Sequence, residues 1–365
     1  MPCPDLKGWQ NSMGFEDAIR RVEPYVPGEQ PKAANVIKLN TNENPYPPSP
    51  AVREAVSRFD TDELRLYPDP AAEELVTAIA EEYGLSKEEV FVGVGSDDVL
   101  AMCFLTFFNS DRPVLFPDIT YSFYDVWAEL FRIPYKRIPL DGEFRIVPGD
   151  YHRENGGIIF PNPNAPTGAL LPLSIVREII SANPDSVVIV DEAYIDFGGE
   201  SALPLIREFE NLIVVQTFSK SRSGAGLRIG YAMAGAKLIR YLNDVKYSFN
   251  SYTMNRETIA AGTACVRDRE YFRETVARIA STRDRFIPRL RELGFRVQDS
   301  AANFVFASHR SIPGKVIFEQ LKARNIYVRW WDKARISDYL RITIGTDEQM
   351  EILLQALRDI CSANA

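Results

Sequence analysis

Cysteine and histidine are scarce in this 365-residue chain, with 4 and 2 copies respectively. Cys3, Cys103, Cys265 and Cys361 lie far apart and form no Cys-x-x-Cys pair. That spacing excludes a disulfide framework and a zinc site, and it fits reduced thiols in a cytoplasmic protein. His152 and His309 are too few for a histidine-rich metal centre, so no metal is expected. Long apolar runs are missing as well. The longest, VLAMCFLTFF at 99–108, is too short to span a bilayer. The opening MPCPDLKGWQN lacks the apolar stretch of a secretory signal. Positive charge is not in excess either: the net charge is -8. Nucleic acid is therefore not expected as a partner, because a phosphate backbone needs a basic face.

What is present is an ordinary globular composition, 45% apolar and 25% charged. The length suits a large domain with a smaller one. Arginine outnumbers lysine 31 to 11, and guanidinium is the better bidentate binder of carboxylate and phosphate. The first fifty residues are rich in Pro and Asn (KLNTNENPYPPSP), which predicts an extended, ordered arm. From residue 50 the pattern becomes regular. AVREAVSRF and AAEELVTAIAEEYG read as amphipathic helices, the second closed by Gly84. Seven strand candidates then alternate with helical stretches: VFVGVG, PVLFPD, YKRIPL, GGIIFPNP, SVVIVDEAY, NLIVVQTFSK and RIGYAMAG. Several are Val/Ile runs without alternation, as in strands buried on both faces. The expected architecture is α/β: a mostly parallel seven-stranded sheet covered by helices. After residue 265 a long amphipathic helix leads into an α+β texture, whose last helix opens on a Thr346/Gln349 capping box. The expected division is an arm at 1–50 that joins the smaller domain, a large domain at 51–265 and a small domain at 266–365.

Ligands of such sheets bind at the carboxyl ends of the strands. In this chain those ends are polar: Gly95-Ser96-Asp97, Asp118 to Tyr121, NPNAPTG, Asp191 and Tyr194, Thr217, Ser219 and Lys220, then Arg228. Ser96 and Asp97 either cap a helix or leave its N-terminus to a phosphate. Asp191 follows four Val or Ile in five residues and needs a partner. It either caps the next element or pairs with a protonated ring nitrogen, with Tyr194 directed at the same ring. Tyr121 is either core or a stacking face for a flat ligand. Lys220 either reaches out to solvent or is desolvated beside a cation, Arg228, and made nucleophilic. Gly224, Ala225 and Gly226 keep the following turn slim.

Taken together, LNTNENPYPPSP, LYPDP, GVGSDDVL, PDITYSFYDVW, NPNAPTG, VDEAYIDF, TFSKSRSGAGLRIGY and YLRITIGT resemble the histidinol-phosphate aminotransferase family over nearly the whole chain. The resemblance implies a fold-type-I transferase whose cofactor is pyridoxal 5′-phosphate. By the same resemblance Lys220 holds the cofactor aldehyde, Asp191 keeps the pyridine nitrogen protonated, Tyr194 and Asn164 hold the ring oxygen and Tyr121 covers the ring face. Gly95, Ser96, Asp97, Thr217, Ser219 and Arg228 would surround the phosphate, with Tyr67 arriving from the neighbouring subunit of a homodimer. Arg341, Arg329 and the arm residue Asn44 would meet the substrate. The implied reaction exchanges an amino group between a small-molecule donor, histidinol phosphate, and the keto acid 2-oxoglutarate. An aromatic aminotransferase, a threonine-phosphate decarboxylase and a non-enzymatic aminotransferase-like sensor are the alternatives. Two departures from the family pattern stand out, Ala165 beside Asn164 and Gly224 after the lysine.

Overall fold

Apolar runs without alternation need cover on both faces, and in the computed structural model the seven expected strands form one sheet. The structure describes residues 15–32 and 35–364. Cys3 and the first fourteen positions of the expected arm lie outside the described residues. The strands are β1 (Val90–Gly93), β2 (Val114–Pro117), β3 (Tyr135–Ile138), β4 (Gly157–Pro161), β5 (Val188–Asp191), β6 (Leu212–Thr217) and β7 (Gly230–Ala234). Their spatial order is β1-β7-β6-β5-β4-β2-β3. Only β7 runs against its neighbours, β1 and β6; the remaining pairs are parallel. Every residue of every strand but β3 is buried. At that edge Lys136 and Arg137 face solvent, which discourages pairing with another chain.

Alternate side chains serve opposite faces. Ile189, Ile213 and Val215 pack with residues of helices Ser96–Phe107, Phe123–Phe131 and Ala236–Phe249. Val188, Val190, Leu212 and Val214 pack with residues of helices Glu73–Tyr83, Leu173–Ser181 and Arg256–Arg267. Each such side chain, fully buried, contributes roughly 1.5–3 kcal/mol relative to exposure. Gly84 closes its helix in the left-handed region at φ 65°, as its position predicts. Helices 236–249 and 256–267 have no counterpart among the elements expected from sequence.

A second, antiparallel sheet contains β8 (Phe295–Val297), β9 (Phe304–His309), β10 (Arg329–Trp330) and β11 (Tyr339–Thr343), in the order β10-β11-β9-β8. Its core includes residues of helices Arg269–Glu292, Gly314–Lys322 and Asp347–Ala363. The last of these starts with both hydrogen bonds of the Thr346/Gln349 capping box. The arm joins this unit: Ile37–Lys38 pairs in parallel with Ile326–Tyr327. Further back, the Tyr25 ring stacks on Phe123 at 4.2 Å. The antiparallel return of β7 makes 218–229 a connection between adjacent strands. Lys220 and Arg228 therefore stand on one short loop at the carboxyl end of β6.

Candidate active site

The β6–β7 loop is held from several sides. Asn44 of the arm donates its amide to the carbonyls of Lys220 and Ser221, both at 3.2 Å. The Ser221 hydroxyl donates to half-buried Asp196 at 2.5 Å. The Gly224 N–H returns to the Phe218 carbonyl at 2.8 Å, and a Cβ on Gly224 would stand only 3.1 Å from that of Phe218. Gly226 faces open space. The Lys220 side chain is half-buried rather than sealed from water. Its Nζ donates to the Thr41 carbonyl at 3.0 Å and stands 5.8 Å from the centre of the Tyr194 ring.

Asp191 ends β5 in the same cavity, 4% exposed. The Tyr124 hydroxyl donates to its Oδ2 at 2.8 Å and the Ala193 N–H to its Oδ1 at 3.2 Å. Among the described residues it has no ion pair. Burial is the main cause that pushes its carboxyl up to about 6, against the two hydrogen bonds. Tyr194, also buried, accepts from the Asn42 amide at 3.0 Å. Tyr121 donates to Asp97 Oδ1 at 2.6 Å, and burial first, then the Asp97 charge, keeps its hydroxyl protonated.

In the same cavity Arg228, Ser219, Thr217 and the start of a helix come together. Helix Ser96–Phe107 begins at Gly95, which supplies no side-chain cap, so its first N–H groups are left for another acceptor. Gly95 has φ 88°, and a Cβ there would fall 2.4 Å from Arg228 Nη2; both facts require glycine. Arg228 takes φ 54° to lie across it. Its guanidinium reaches Ser219 Oγ and the Ala225 carbonyl at 3.4 Å and Asp97 Oδ2 at 3.5 Å, all of them long contacts. Thr217 bonds Ser219 at 3.1 Å on the same wall.

This cavity, about 190 Å³, adjoins a larger one of about 700 Å³. They share Thr41, Asp97, Tyr121, Tyr194, Lys220 and Arg228. The larger cavity is roofed by the arm through Tyr25, Pro27 and Gly28 and is lined by Arg329 and Arg341. Arg341 reaches the cavity, yet its Nε is shut off from solvent with no hydrogen-bond partner. Its Nη2 donates to the Asn40 carbonyl at 2.9 Å. Burial, with the like charge of Arg329 adding to it, holds Arg341 below the usual guanidinium range. Among the described residues no group of three or more His, Cys, Asp or Glu could hold a metal ion.

Three expected site residues stand elsewhere. Asn164 is buried, but its amide donates to the Ile119 carbonyl and Thr167 Oγ1, and its oxygen accepts from Thr120. Its neighbour Ala165 lines the cavity instead. Asn44 grips the lysine loop rather than facing the substrate cavity. Tyr67 is 77% exposed, against Tyr252, with ring centres 4.7 Å apart. Sequence reasoning missed Tyr124, Asn42 and Thr41, which bond Asp191, Tyr194 and Lys220. Each lies inside a motif already singled out, and only the fold says which neighbour points inward.

A strand-end lysine, a buried carboxylate and an anion cradle on a mostly parallel sheet define an aminotransferase-type site. Residues 34–357 match the family described as aminotransferase class I and II. A histidinol-phosphate aminotransferase of Clostridium beijerinckii is 51% identical over 350 residues, 96% of this chain and 98% of that one. Another from Hydrogenovibrio crunogenus is 53% identical over 349 residues, 96% of this chain and 98% of that one. The solved histidinol-phosphate aminotransferase of Sinorhizobium meliloti, in complex with pyridoxal-5′-phosphate, superposes with a TM-score of 0.83. It shares 24% identity, over 90% of this chain and 92% of that one, and so speaks for the fold alone. The chain belongs to the class I and II aminotransferases and, within them, to the histidinol-phosphate aminotransferase family.

The buried carboxyls give this site a pH signature. Asp191, Glu192 and Asp196 all titrate above their ordinary values because of burial, the first two at about 6 and about 7. Their contribution to stability is fully present below about pH 4 and is lost as the pH rises through 6 to 7. Asp191→Asn in the ligand-free protein should remove one share, about 3 kcal/mol. Urea unfolding from pH 4 to 7 should then show a shallower fall than wild type. An equally steep fall would contradict the burial described for Asp191.

Proposed function

We infer that the protein is a pyridoxal-phosphate-dependent aminotransferase that converts histidinol phosphate and 2-oxoglutarate to imidazole acetol phosphate and glutamate, in histidine biosynthesis. The observation that carries the cofactor is Asp191, a buried carboxylate without a cation in the cavity that Lys220 also lines. A protonated pyridine nitrogen supplies the missing charge. Arg228, the open start of helix Ser96–Phe107, Thr217 and Ser219 suit a phosphate dianion. Tyr121 would cover the ring and Tyr194 would donate to its oxygen, with Ala165 in the position next to it offering no donor. Identity near one half with curated histidinol-phosphate aminotransferases, at nearly full length, carries the substrate.

Pyridoxal phosphate, when bound, supplies an electron sink for the charge left at the substrate Cα. The chain supplies the rest. Asp191 keeps the ring nitrogen protonated. Lys220 would hold the aldehyde and, once the donor's amino group has displaced it, its free Nζ would take the proton from the substrate Cα as general base and deliver it as general acid to the carbon that carried the aldehyde. Asn44 and Ser221 fix the loop from which it works. Arg341 and Arg329 bind an anionic group, phosphate in one substrate and carboxylate in the other, because guanidinium suits both. Purified protein with cofactor and 2-oxoglutarate should form glutamate from histidinol phosphate with ping-pong kinetics. Glutamate from phenylalanine alone, or carbon dioxide from threonine phosphate, would point to the alternatives instead.

We also infer a cytoplasmic homodimer with a shared site, built from the arm, the large domain 51–265 and the small domain 266–365. Among the described residues no helix is long and apolar enough to cross a membrane. Tyr67 sits in an exposed apolar face with Leu64 and Leu66, and Phe249 lies close in sequence to its stacking partner Tyr252. Such a patch fits a partner surface, and Tyr67 would reach the phosphate of the partner's site. Mixing inactive Lys220→Ala with Tyr67→Ala should restore activity, since half the sites in each hybrid dimer are intact. No recovery above the separate variants would contradict a shared site.

A further inference from the structure

Arg329 and Arg341 are direct cross-strand partners on β10 and β11. Like charges in that position repel. Neither has a carboxylate partner among the described residues. Arg329 donates only to the arm carbonyls of Val26 at 3.3 Å and Pro27 at 3.5 Å. Arg341 donates to the Asn40 carbonyl and leaves Nε without a partner. What stands between the two is an indole. The Arg329 Cζ lies 5.4 Å from the centre of the Trp331 ring, and the Arg341 Cζ lies 5.3 Å from it. Both distances are within reach of a cation–π attraction.

The sequence RWW explains the arrangement. Along an extended strand, residues two apart share a face. Trp331 thus follows Arg329 toward the cavity, which both of them line. Trp330 takes the other face, where it stacks on Phe318 at 5.8 Å and donates Nε1 to the Ser337 carbonyl at 2.7 Å. Phe304 supports Arg341 at 5.4 Å. The electron-rich indole ring thus lies within cation–π reach of both guanidiniums.

We propose that Trp331 is a positioning residue that holds Arg329 and Arg341 together as a preformed site for one anionic group. This rests on the reading that the two arginines meet the substrate anion. Without the indole, two unneutralised guanidiniums would swing apart, and each anion would have to reassemble the pair. The effect therefore falls on affinity and not on proton transfer at Lys220. It acts on the phosphate of one substrate and the carboxylate of the other alike.

The test compares Trp331→Leu and Trp331→Phe in the holoenzyme. Trp331→Leu should raise KM for histidinol phosphate and for 2-oxoglutarate about 10-fold, with kcat within about 3-fold. The inhibition constant of inorganic phosphate and the calorimetric Kd of 2-oxoglutarate should rise in parallel. Trp331→Phe, which keeps an aromatic face, should recover most of the loss. Unchanged KM and Kd in the Leu variant would overturn the proposal. So would a fall in kcat at constant KM, or a Phe variant as impaired as Leu. Failure of the underlying reading is visible separately, in wild-type enzyme that neither turns over histidinol phosphate nor is inhibited by inorganic phosphate.

Discussion

A buried carboxylate with no cation of its own governs this site. Asp191 ends a strand whose residues are all buried, so its charge must be answered from the cavity. The adjacent Glu192 shows what a self-sufficient buried carboxylate looks like in the same chain. It accepts from Ser201, the Ala202 N–H and Gln216 at 2.6, 2.6 and 2.9 Å. Strand alternation sends the two acids to opposite sides. One is satisfied within the protein, and the other, bonded by Tyr124 and Ala193, faces the cavity that Lys220 also lines.

The remaining charges follow from that placement. Lys220, Arg228, Arg329 and Arg341 all line the joined cavities, where Asp97 and Asp191 are among the few acids facing them. Arg329 and Arg341 have no carboxylate partner among the described residues, and Arg228 pairs with Asp97 at 3.5 Å. The sheet topology makes this possible with little chain. Because β7 returns beside β6, one loop carries both the lysine and the phosphate-side arginine. Asn44 ties that loop to the arm, and Arg329 and Arg341 tie the arm to the small sheet through backbone carbonyls. Arm, lysine loop and the two arginines thus form one connected wall around the cavity.

Much of this was legible in the chain. Strands such as β5 and β6 were readable because continuous Val/Ile segments fit burial on both faces, whereas edge strand β3, with Lys136 and Arg137 exposed, was read from its place in the strand–helix alternation. Asp191 and Lys220 stood out because ionisable groups at the ends of such segments fall at the sheet's carboxyl edge, while Tyr194 and Arg228, farther along, were singled out by the order of the motifs and the family resemblance. The placements of Asn164, Asn44 and Trp331 were not readable. The amide of Asn164 is taken up by Ile119 and Thr167, and Asn44 turns to a loop far along the chain, choices between equally polar neighbours that only packing decides. Trp331 gains its meaning from strand register, which places Arg341 opposite Arg329. Helices 236–249 and 256–267 do bury residues at helical spacing, Leu238, Ile239 and Leu242 in the first and Ile259, Thr263 and Val266 in the second, but these stand among many charged and small residues.

The central claim, one lysine amine set against one uncompensated carboxylate, is tested most directly by chemical trapping. The protein loaded with pyridoxal phosphate is reduced with borohydride, digested and mapped by mass spectrometry. The account predicts a pyridoxyl group on the peptide that carries Lys220, and its loss in Lys220→Ala. Labelling of a different lysine, or none at all despite saturating cofactor, would contradict it.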